Sequence, residues 1–265
     1  YLLQLIKQYL HSYKNFLMII LTLFFFITAI LYSSIGFGGG STYLALMLIW
    51  DVPYYIFPLI ALICNIIVVT GNSINFIISK NINLSLITPF LIGSIPFAFI
   101  GGSISIEKNL FEVLLFLTLL TAGFLLFIES KSLKKNEIII KPISKFISII
   151  IGSIIGFFSG LIGIGGGIFL SPILFLLKSG YPKHITSSAS LFILINSVFG
   201  VAGQLTKNIV FDEFLKYWPL FIFVLLGGQI GSFLNIKFLS NKILALMTSF
   251  LVIFVAIRMG IRLFG

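Results

Sequence analysis

Two glycine runs carry the strongest chemical signal in this chain of 265 residues. Gly36-Phe37-Gly38-Gly39-Gly40 recurs as Gly163-Ile164-Gly165-Gly166-Gly167, which begins 127 residues later (163 − 36). Consecutive glycines disfavour a continuous helix, because glycine loses more backbone entropy on folding than any other residue. Transporters place their binding sites at broken membrane helices, where protein or a water-filled cavity surrounds the irregular backbone. The two runs therefore predict a pair of broken helices that hold a substrate between them.

An anion is the ligand that such breaks suit best. A helix N-terminus presents unpaired N–H groups and a partial positive charge, so it holds an anion without a cationic side chain. Ser41 and Thr42 follow the first run and are predicted to add hydroxyl donors, whereas apolar residues follow the second run. Two alternatives stay open at this point: glycines that only let helices pack closely, and a dinucleotide loop, which lacks its third glycine and its βαβ context here.

Polar side chains inside apolar segments are the next candidates, because burying them in a membrane is costly unless they are paired or functional. Asn65 and Asn196 are predicted to donate hydrogen bonds near the pathway, and Asn72, Asn75 and Gln204 lie in the same two segments. Hydrogen bonding that only holds helices together is the alternative for each amide. All seven Asp and Glu lie in loops or near segment ends, which favours anions in the pathway.

The composition requires a membrane protein. Hydrophobic residues make up 59% of the chain and charged residues 9%, with a mean hydropathy of +1.19, whereas soluble domains are about 25% charged. The net charge of +10 lies in short loops, which indicates membrane orientation and contact with anionic lipid rather than nucleic acid. Cys64 stands alone, and His11 and His184 are far apart. No metal and no cofactor are therefore expected.

The segments between the glycines and the loops give the architecture, an all-α polytopic membrane protein of two homologous halves. Each half has about four spans plus a broken or re-entrant half-helix of ten residues after its glycine run, and Pro53, Gly71, Pro89 and Gly101 recur at offsets of 129 to 130. Residues 1–15 are predicted as an interfacial amphipathic helix. Residues 16–128 form the first repeat, 129–142 a polar cytoplasmic linker and 143–265 the second repeat.

The positive charges suggest an orientation. If the half-helices re-enter, the chain has eight spans, and the side with both termini and the linker carries twelve of the 17 Lys and Arg. That side is predicted to be cytoplasmic. If the half-helices cross fully, ten crossings invert the second half and the bias largely disappears. Oligomeric state stays open.

One stretch resembles a known family. Gly160-Leu161-Ile162-Gly163-Ile164-Gly165-Gly166-Gly167-Ile168-Phe169-Leu170-Ser171-Pro172, followed by Thr186-Ser187-Ser188-Ala189-Ser190-Leu191, is similar to the sulfite exporter TauE/SafE family. The first half keeps the glycines but has Phe57-Pro58-Leu59-Ile60-Ala61 in place of the second motif. The resemblance implies a cell-membrane transporter of sulfite, sulfonates or sulfoacetate, with Thr186 and Ser188 near the substrate. It implies no enzyme. An anion channel, and an intramembrane enzyme that would need a base beside a serine, are the alternatives.

Overall fold

The structure is a computed structural model that describes residues 2–132, 140–208 and 211–234, together with 249–250, 253–254, 256–257 and 260–261. The first part of the chain forms α1 (Leu2–Ser33), α2 (Gly40–Ile49), α3 (Phe57–Ile78, after a 3-10 turn at Tyr54–Ile56), α4 (Leu84–Ser103) and α5 (Lys108–Ser132). The second forms α6 (Lys145–Ile162), α7 (Gly167–Leu176), α8 (Pro182–Gln204), α9 (Phe211–Leu215) and α10 (Trp218–Leu234). Over these residues the fold is all-helical, as the sequence predicted.

Six of these helices, α1, α3, α4, α5, α6 and α8, are long and apolar enough to cross a membrane. Helices α2, α7 and α10 are apolar but shorter. This agrees with the predicted polytopic membrane protein. The last predicted span, 243–262, and the predicted linker, 129–142, fall largely outside the described residues. Helix α1 passes residue 15 without a break, and the interfacial position of residues 1–15 stays a prediction.

Helix α2 turns back along α1 after the first glycine run. Tyr32, near the end of α1, shares a hydrogen bond of 2.7 Å with Thr42 in the first turn of α2. Trp50, which follows α2, donates from Nε1 to the carbonyl of Leu17, near the start of the apolar part of α1. Contacts that pair the end of one helix with the start of the other show that the two helices run antiparallel.

Helix α7 makes the same return along α6. The backbone N–H of Lys141, just ahead of α6, donates to the carbonyl of Lys178 beyond the end of α7 at 3.0 Å. The break at Gly166 lies against Ile155, within α6. Each ten-residue helix therefore starts inside the bundle and ends beside the beginning of the long helix that precedes it.

Glycines let α4 and α6 meet backbone to backbone. A Cβ placed on Gly152 would collide with the carbonyl oxygen of Phe90, and one on Gly160 with that of Ala98. The residue numbers rise together along the contact, so these two helices run parallel. Helices α1 and α10 pack in the same way, also in parallel, with Gly227 against Phe26 and Gly231 against Ile30.

Helices α3 and α8 cross at the centre of the bundle and run antiparallel. Ser73 and Ser190 are joined by a hydrogen bond of 3.2 Å between their hydroxyls, while Gly200 packs against Leu62 further along. The half-helix α2 is buried in one apolar cluster with α1 and α3 through Tyr43, Leu44 and Met47. Both glycine runs therefore lie inside the protein, where irregular backbone is tolerated in a membrane.

Candidate functional site

The first break ends one helix and starts another with glycines in the left-handed region. At the end of α1, the N–H of Phe37 donates to the carbonyl of Tyr32 at 2.9 Å and that of Gly36 to the carbonyl of Ser33 at 3.0 Å. This is a Schellman C-cap, which places Gly36 at φ +85°, a conformation that favours glycine. Gly39, at φ +86°, is the N-cap of α2.

The second break has the same plan with one more left-handed glycine. Gly163 lies at φ +95° and donates from its N–H to the carbonyl of Ser159 at 2.9 Å, which caps α6. Gly165 and Gly166 follow at φ +83° and +80°, and Gly166 is the N-cap of α7. Gly38, which stands where Gly165 does in the repeat, is not among the glycines with positive φ. The backbones of the two breaks therefore differ at this position.

Both half-helices point an uncapped N-terminus at the break. The first bonds within α2 end on the carbonyl of Gly39, and those within α7 end on the carbonyl of Gly166. The N–H groups of Gly40 and Ser41, and of Gly167 and Ile168, precede these bonds, and neither N-cap offers a side-chain acceptor. Such N–H groups and the helix dipole attract an anion.

Asn65, on α3, lies between the two breaks and is fully buried. Its Nδ2 donates to the carbonyl of Ile164 at 3.2 Å. A Cβ placed on Gly40 would lie 2.6 Å from this Nδ2 and 2.6 Å from the Ile164 oxygen. The glycine at position 40 therefore lets the first break touch the second. The predicted site residues Gly40, Asn65 and Gly165 are brought together here.

Asn65 offers different atoms to the two breaks. A Cβ placed on Gly165 would lie 2.6 Å from its Nδ2 and 3.2 Å from the hydroxyl of Ser197, on α8. On the other side, Gly38 packs against the Oδ1 of Asn65. The Ser197 hydroxyl and the Asn65 Oδ1 are buried without a hydrogen-bond partner. Two potential donors therefore lie directly against the backbone of Gly165, a position called the cradle below, whereas Gly38 faces an acceptor.

The hydroxyls of Ser41 and Thr42 turn away from this cradle. Both are buried and contact the hydroxyl of Tyr32, at 3.5 Å from Ser41 and 2.7 Å from Thr42. These hydroxyls satisfy one another along the α1–α2 interface. The hydroxyls that the sequence predicted as ligand donors at the first break are therefore already bonded within the protein.

Three predicted residues on α8 take different positions. The methyl group of Thr186 lies 3.3 Å from the Cβ position of Gly36, so this residue reaches the first break. Asn196 donates from Nδ2 to the carbonyl of Phe192 on its own helix at 2.9 Å, and its Oδ1 is buried without a partner. Ser188 is buried with an unpartnered hydroxyl. Neither Ser188 nor Asn196 is among the nearest neighbours of the break glycines.

Two amides that the sequence marked only as polar residues in apolar segments support the ends of the broken helices. Asn72 donates from Nδ2 to the carbonyl of Ser33 at 2.8 Å, and Gln204 donates from Nε2 to the carbonyl of Gly160 at 2.9 Å. Ser33 and Gly160 each stand three residues before the first glycine of a run. The amides therefore satisfy carbonyls that a helix end would otherwise leave unpaired.

Ser197 was not predicted from the sequence, because a serine in an apolar helix usually bonds to its own backbone and does not indicate a site. The amide caps were hidden for another reason, since the partners of Asn72 and Gln204 are 39 and 44 residues away. Among the described residues, no group of three His, Cys, Asp or Glu is placed to hold a metal ion.

Known proteins resemble this chain over most of its length. The family model for the sulfite exporter TauE/SafE matches residues 21–259. A probable membrane transporter protein of Sinorhizobium fredii is 27% identical over 87% of this chain and 93% of its own length. Similar proteins with the same description occur in Bacillus subtilis (25% identical over 83% of this chain and 89% of the relative) and in Methanocaldococcus jannaschii (31%, over 69% and 70%). No solved structure matches the chain.

Proposed function

Because the chain belongs to the sulfite exporter TauE/SafE family of membrane transporters, we propose that it carries a small sulfur-containing anion, such as sulfite, a sulfonate or sulfoacetate. The family and the relatives are transporters rather than enzymes. A small oxyanion fits the donors around the breaks, which are backbone N–H groups, amides and hydroxyls. Neutral donors of this kind bind a negative charge and release it again.

One observation carries the proposed binding site, the cradle beside Gly165. Asn65 Nδ2 and the unpartnered hydroxyl of Ser197 both lie within 3.2 Å of the position that a Cβ at residue 165 would occupy. The first N–H groups of α7 begin two residues further on, at Gly167. A helix terminus stabilises a charge by about 0.3–2 kcal/mol, and each hydrogen bond to a charged group contributes about 1.5–3 kcal/mol. These terms offset only part of an anion's dehydration, as ready release requires.

Binding in this cradle requires one exchange. Asn65 Nδ2 now donates to the carbonyl of Ile164, so an anion beside Gly165 would take over that donor or share it. The contact between the breaks would then loosen as the anion enters. In this proposal the remaining glycines shape the two breaks, Gly36, Gly38, Gly39 and Gly40 in the first and Gly163 and Gly166 in the second, and Thr186 on α8 lies beside Gly36. The hydroxyls of Ser41 and Thr42 support the first break through Tyr32, and Ser188 and Asn196 lie further along α8.

The directions of the helices support a re-entrant, inverted arrangement of the two halves. Helix α3 starts where α2 ends, beside the beginning of the apolar part of α1, so α1 and α2 together form a hairpin that returns to its own side. Helix α3 then runs parallel to α1, and α4 returns after a short connection. Since α6 packs parallel to α4, it runs opposite to α1. The second half is inverted, as many transporter folds are.

In this arrangement the start of α1 and the end of α8 lie on one side, whereas the end of α5 and the start of α6, which flank the linker, lie on the other. The linker and the N-terminus are therefore proposed to lie on opposite sides of the membrane, whereas the charge pattern predicted that both are cytoplasmic. Labelling tests it in intact cells: a cysteine at Lys80, after α3, and one at Asp212, on α9, are offered a membrane-impermeant maleimide in a Cys64→Ser background. Opposite accessibility supports the inverted halves, and the same accessibility for both rejects them.

Transport itself is tested with the purified chain in proteoliposomes. Sulfite, sulfoacetate, taurine, sulfate and chloride are compared by uptake and by thermal stabilisation of the protein in detergent. Saturable uptake and stabilisation by one or more sulfur anions, stimulated by the same anion on the far side, support the carrier. Single-channel current steps would assign the alternative, an anion channel. Absence of flux for every sulfur anion would reject the proposed function.

A further inference from the structure

We propose that Lys207 receives the anion at the end of the bundle where α8 ends, and so determines charge selection at the entrance to the second break. The inference rests on the proposed function and concerns a residue that neither glycine run contains. Lys207 follows α8 by three residues and donates from Nζ to the Oε1 of Gln204 at 3.0 Å. Gln204 in turn donates from Nε2 to the carbonyl of Gly160 at 2.9 Å. Two hydrogen bonds therefore connect the ammonium group to the end of α6, next to Gly163.

The charge of Lys207 is available to a mobile ion. The ion pairs of the described residues are Lys108 with Glu112 and Lys216 with Glu213, and neither involves Lys207. The nearest acids in sequence, Asp212 and Glu213, lie on α9, and Glu213 is bound to Lys216. Lys207 is half-buried, and this burial lowers the pKa of its ammonium group to about 8. A half-buried cation whose neighbour is a neutral amide keeps its attraction for an anion.

At the first break no cation of the described residues is bound to the capping amide. Asn72 caps the end of α1 as Gln204 caps the end of α6, and three residues after Asn72 stands Asn75. Asn75 is an exposed amide that donates to the hydroxyl of Ser232 at 3.4 Å. Lys80 stands two residues beyond α3 and makes no hydrogen bond to Asn72, so the cap of the second break carries a cation and that of the first does not. A helix cap alone needs no cation, because Asn72 caps without one.

An arriving anion would compete with Gln204 for the ammonium group. The anion takes the position of Oε1 as the acceptor from Lys207, and Gln204 keeps its bond to the Gly160 carbonyl through Nε2. The anion then lies one side chain away from the end of α6. The substrate class that this favours is a doubly charged sulfur anion over a singly charged one of similar size, since the neutral cradle adds no cationic side chain of its own.

The test measures sulfoacetate uptake by the intact chain in proteoliposomes, because sulfoacetate keeps both negative charges around pH 8. For Lys207→Met we expect the KM for sulfoacetate to rise about tenfold, the effect of losing one partly screened charge–charge interaction. Vmax should stay near that of the wild type, and Lys207→Arg should keep the wild-type KM. Lys216→Met is the matched control, since it removes an exposed, ion-paired cation from the same connection, and its KM should not change.

A wild-type KM in Lys207→Met, or an equal rise in Lys216→Met, overturns the inference. The wild type gives a second measurement should the Met variant not fold. Its KM for sulfoacetate should rise from about pH 7 to about pH 9.5, as a lysine with a lowered pKa loses its charge, whereas Lys207→Arg should show a flat profile. A flat wild-type profile also overturns the inference. Absence of wild-type flux for every sulfur anion rejects the proposed function instead, and the inference with it.

Discussion

The two glycine breaks share a backbone plan and differ in which donors they leave free. In the first break, Ser41 and Thr42 contact Tyr32, and Gly38 faces the acceptor oxygen of Asn65. In the second, no hydroxyl follows the glycines, yet Gly165 faces the amide nitrogen of Asn65 and the hydroxyl of Ser197. The hydroxyls of the break with the more polar sequence are already hydrogen-bonded within the protein, whereas the break with the apolar sequence has side-chain donors beside it on α3 and α8.

This difference shows that a duplicated motif need not give two equal surroundings. A single asparagine between two similar breaks presents its donor to one and its acceptor to the other, because the carbonyl of Ile164 fixes the amide orientation. An anion is attracted by the nitrogen and repelled by the oxygen. We therefore expect substitutions in the second break to change anion affinity more than equivalent substitutions in the first.

The largest effect is expected for Gly165→Ala. The added methyl group would lie 2.6 Å from Asn65 Nδ2 and fill the cradle, at φ +83°, where a left-handed side-chain residue costs about 1–2 kcal/mol. Uptake should fall to about a tenth of wild type or less. Gly71→Ala, on α3, is the control, because the nearest atoms that its methyl group would meet on another helix are those of the Gln229 amide at 3.7 Å. Normal uptake by Gly165→Ala would remove the second break from the site.

Substitutions of two asparagines on α3 are expected to differ, one affecting anion binding and the other the stability of the fold. Asn65→Leu should raise the KM by about one to two orders of magnitude, because a hydrogen bond to a charged group contributes about 1.5–3 kcal/mol. Asn72→Leu should mainly lower thermal stability, by about 1–3 kcal/mol, because it leaves the Ser33 carbonyl without that donor. Uptake kinetics and unfolding curves are measured for both variants. A stability loss in both with no change in KM would make Asn65 a packing residue as well.

Substitutions of a serine beside each break are expected to differ less in their effect on the KM. Ser197→Ala should raise the KM by about three- to tenfold with little change in thermal stability, because the hydroxyl has no partner in the protein and so costs nothing there when removed. Ser41→Ala should leave the KM unchanged, since its hydroxyl contacts Tyr32 at 3.5 Å. Equal effects of the two variants on affinity would mean that the breaks contribute alike.

Tyr32→Phe is expected to have the smallest effect on transport. It removes the 2.7 Å bond to Thr42 and should lower stability by about 0.5–1.5 kcal/mol, the net contribution of a typical buried hydrogen bond. Because Tyr32 supports the first break rather than the cradle, the KM should stay within about twofold of wild type. Unfolding and uptake measured on one preparation check both values. A large rise in KM would indicate that the first break binds the anion too.

Residue types were enough to predict the broken helices, because three near-consecutive glycines have few other uses in an apolar segment. Asn65 was predicted to donate hydrogen bonds near the pathway; the structure places it between the two breaks, and its binding role stays a prediction. The return of α2 along α1 was not decided by sequence, since ten apolar residues have a length but no direction. Trp50 and Leu17 determine that direction through a contact across 33 residues.

Side-chain roles were harder to predict for a similar reason. Ser41 and Thr42 resemble free donors as long as Tyr32 is not known to lie beside them. Gln204 and Lys207 look like an ordinary helix end until the carbonyl of Gly160 is placed next to them. In each case the sequence shows the group, and only the packing shows whether its hydrogen bonds are already used.

The glycine contact between α4 and α6 has a mechanical consequence. Gly152 and Gly160 lie directly on the carbonyls of Phe90 and Ala98. The two helices therefore cannot slide along each other, because a shift of one residue would drive a side chain into a carbonyl. We expect α4 and α6 to move together as one rigid unit, and α1 and α10, which pack in the same way, to form a second. We expect the displacement of a transport cycle to occur between these two units, along α3 and α8, where hydroxyls rather than backbones touch at Ser73 and Ser190.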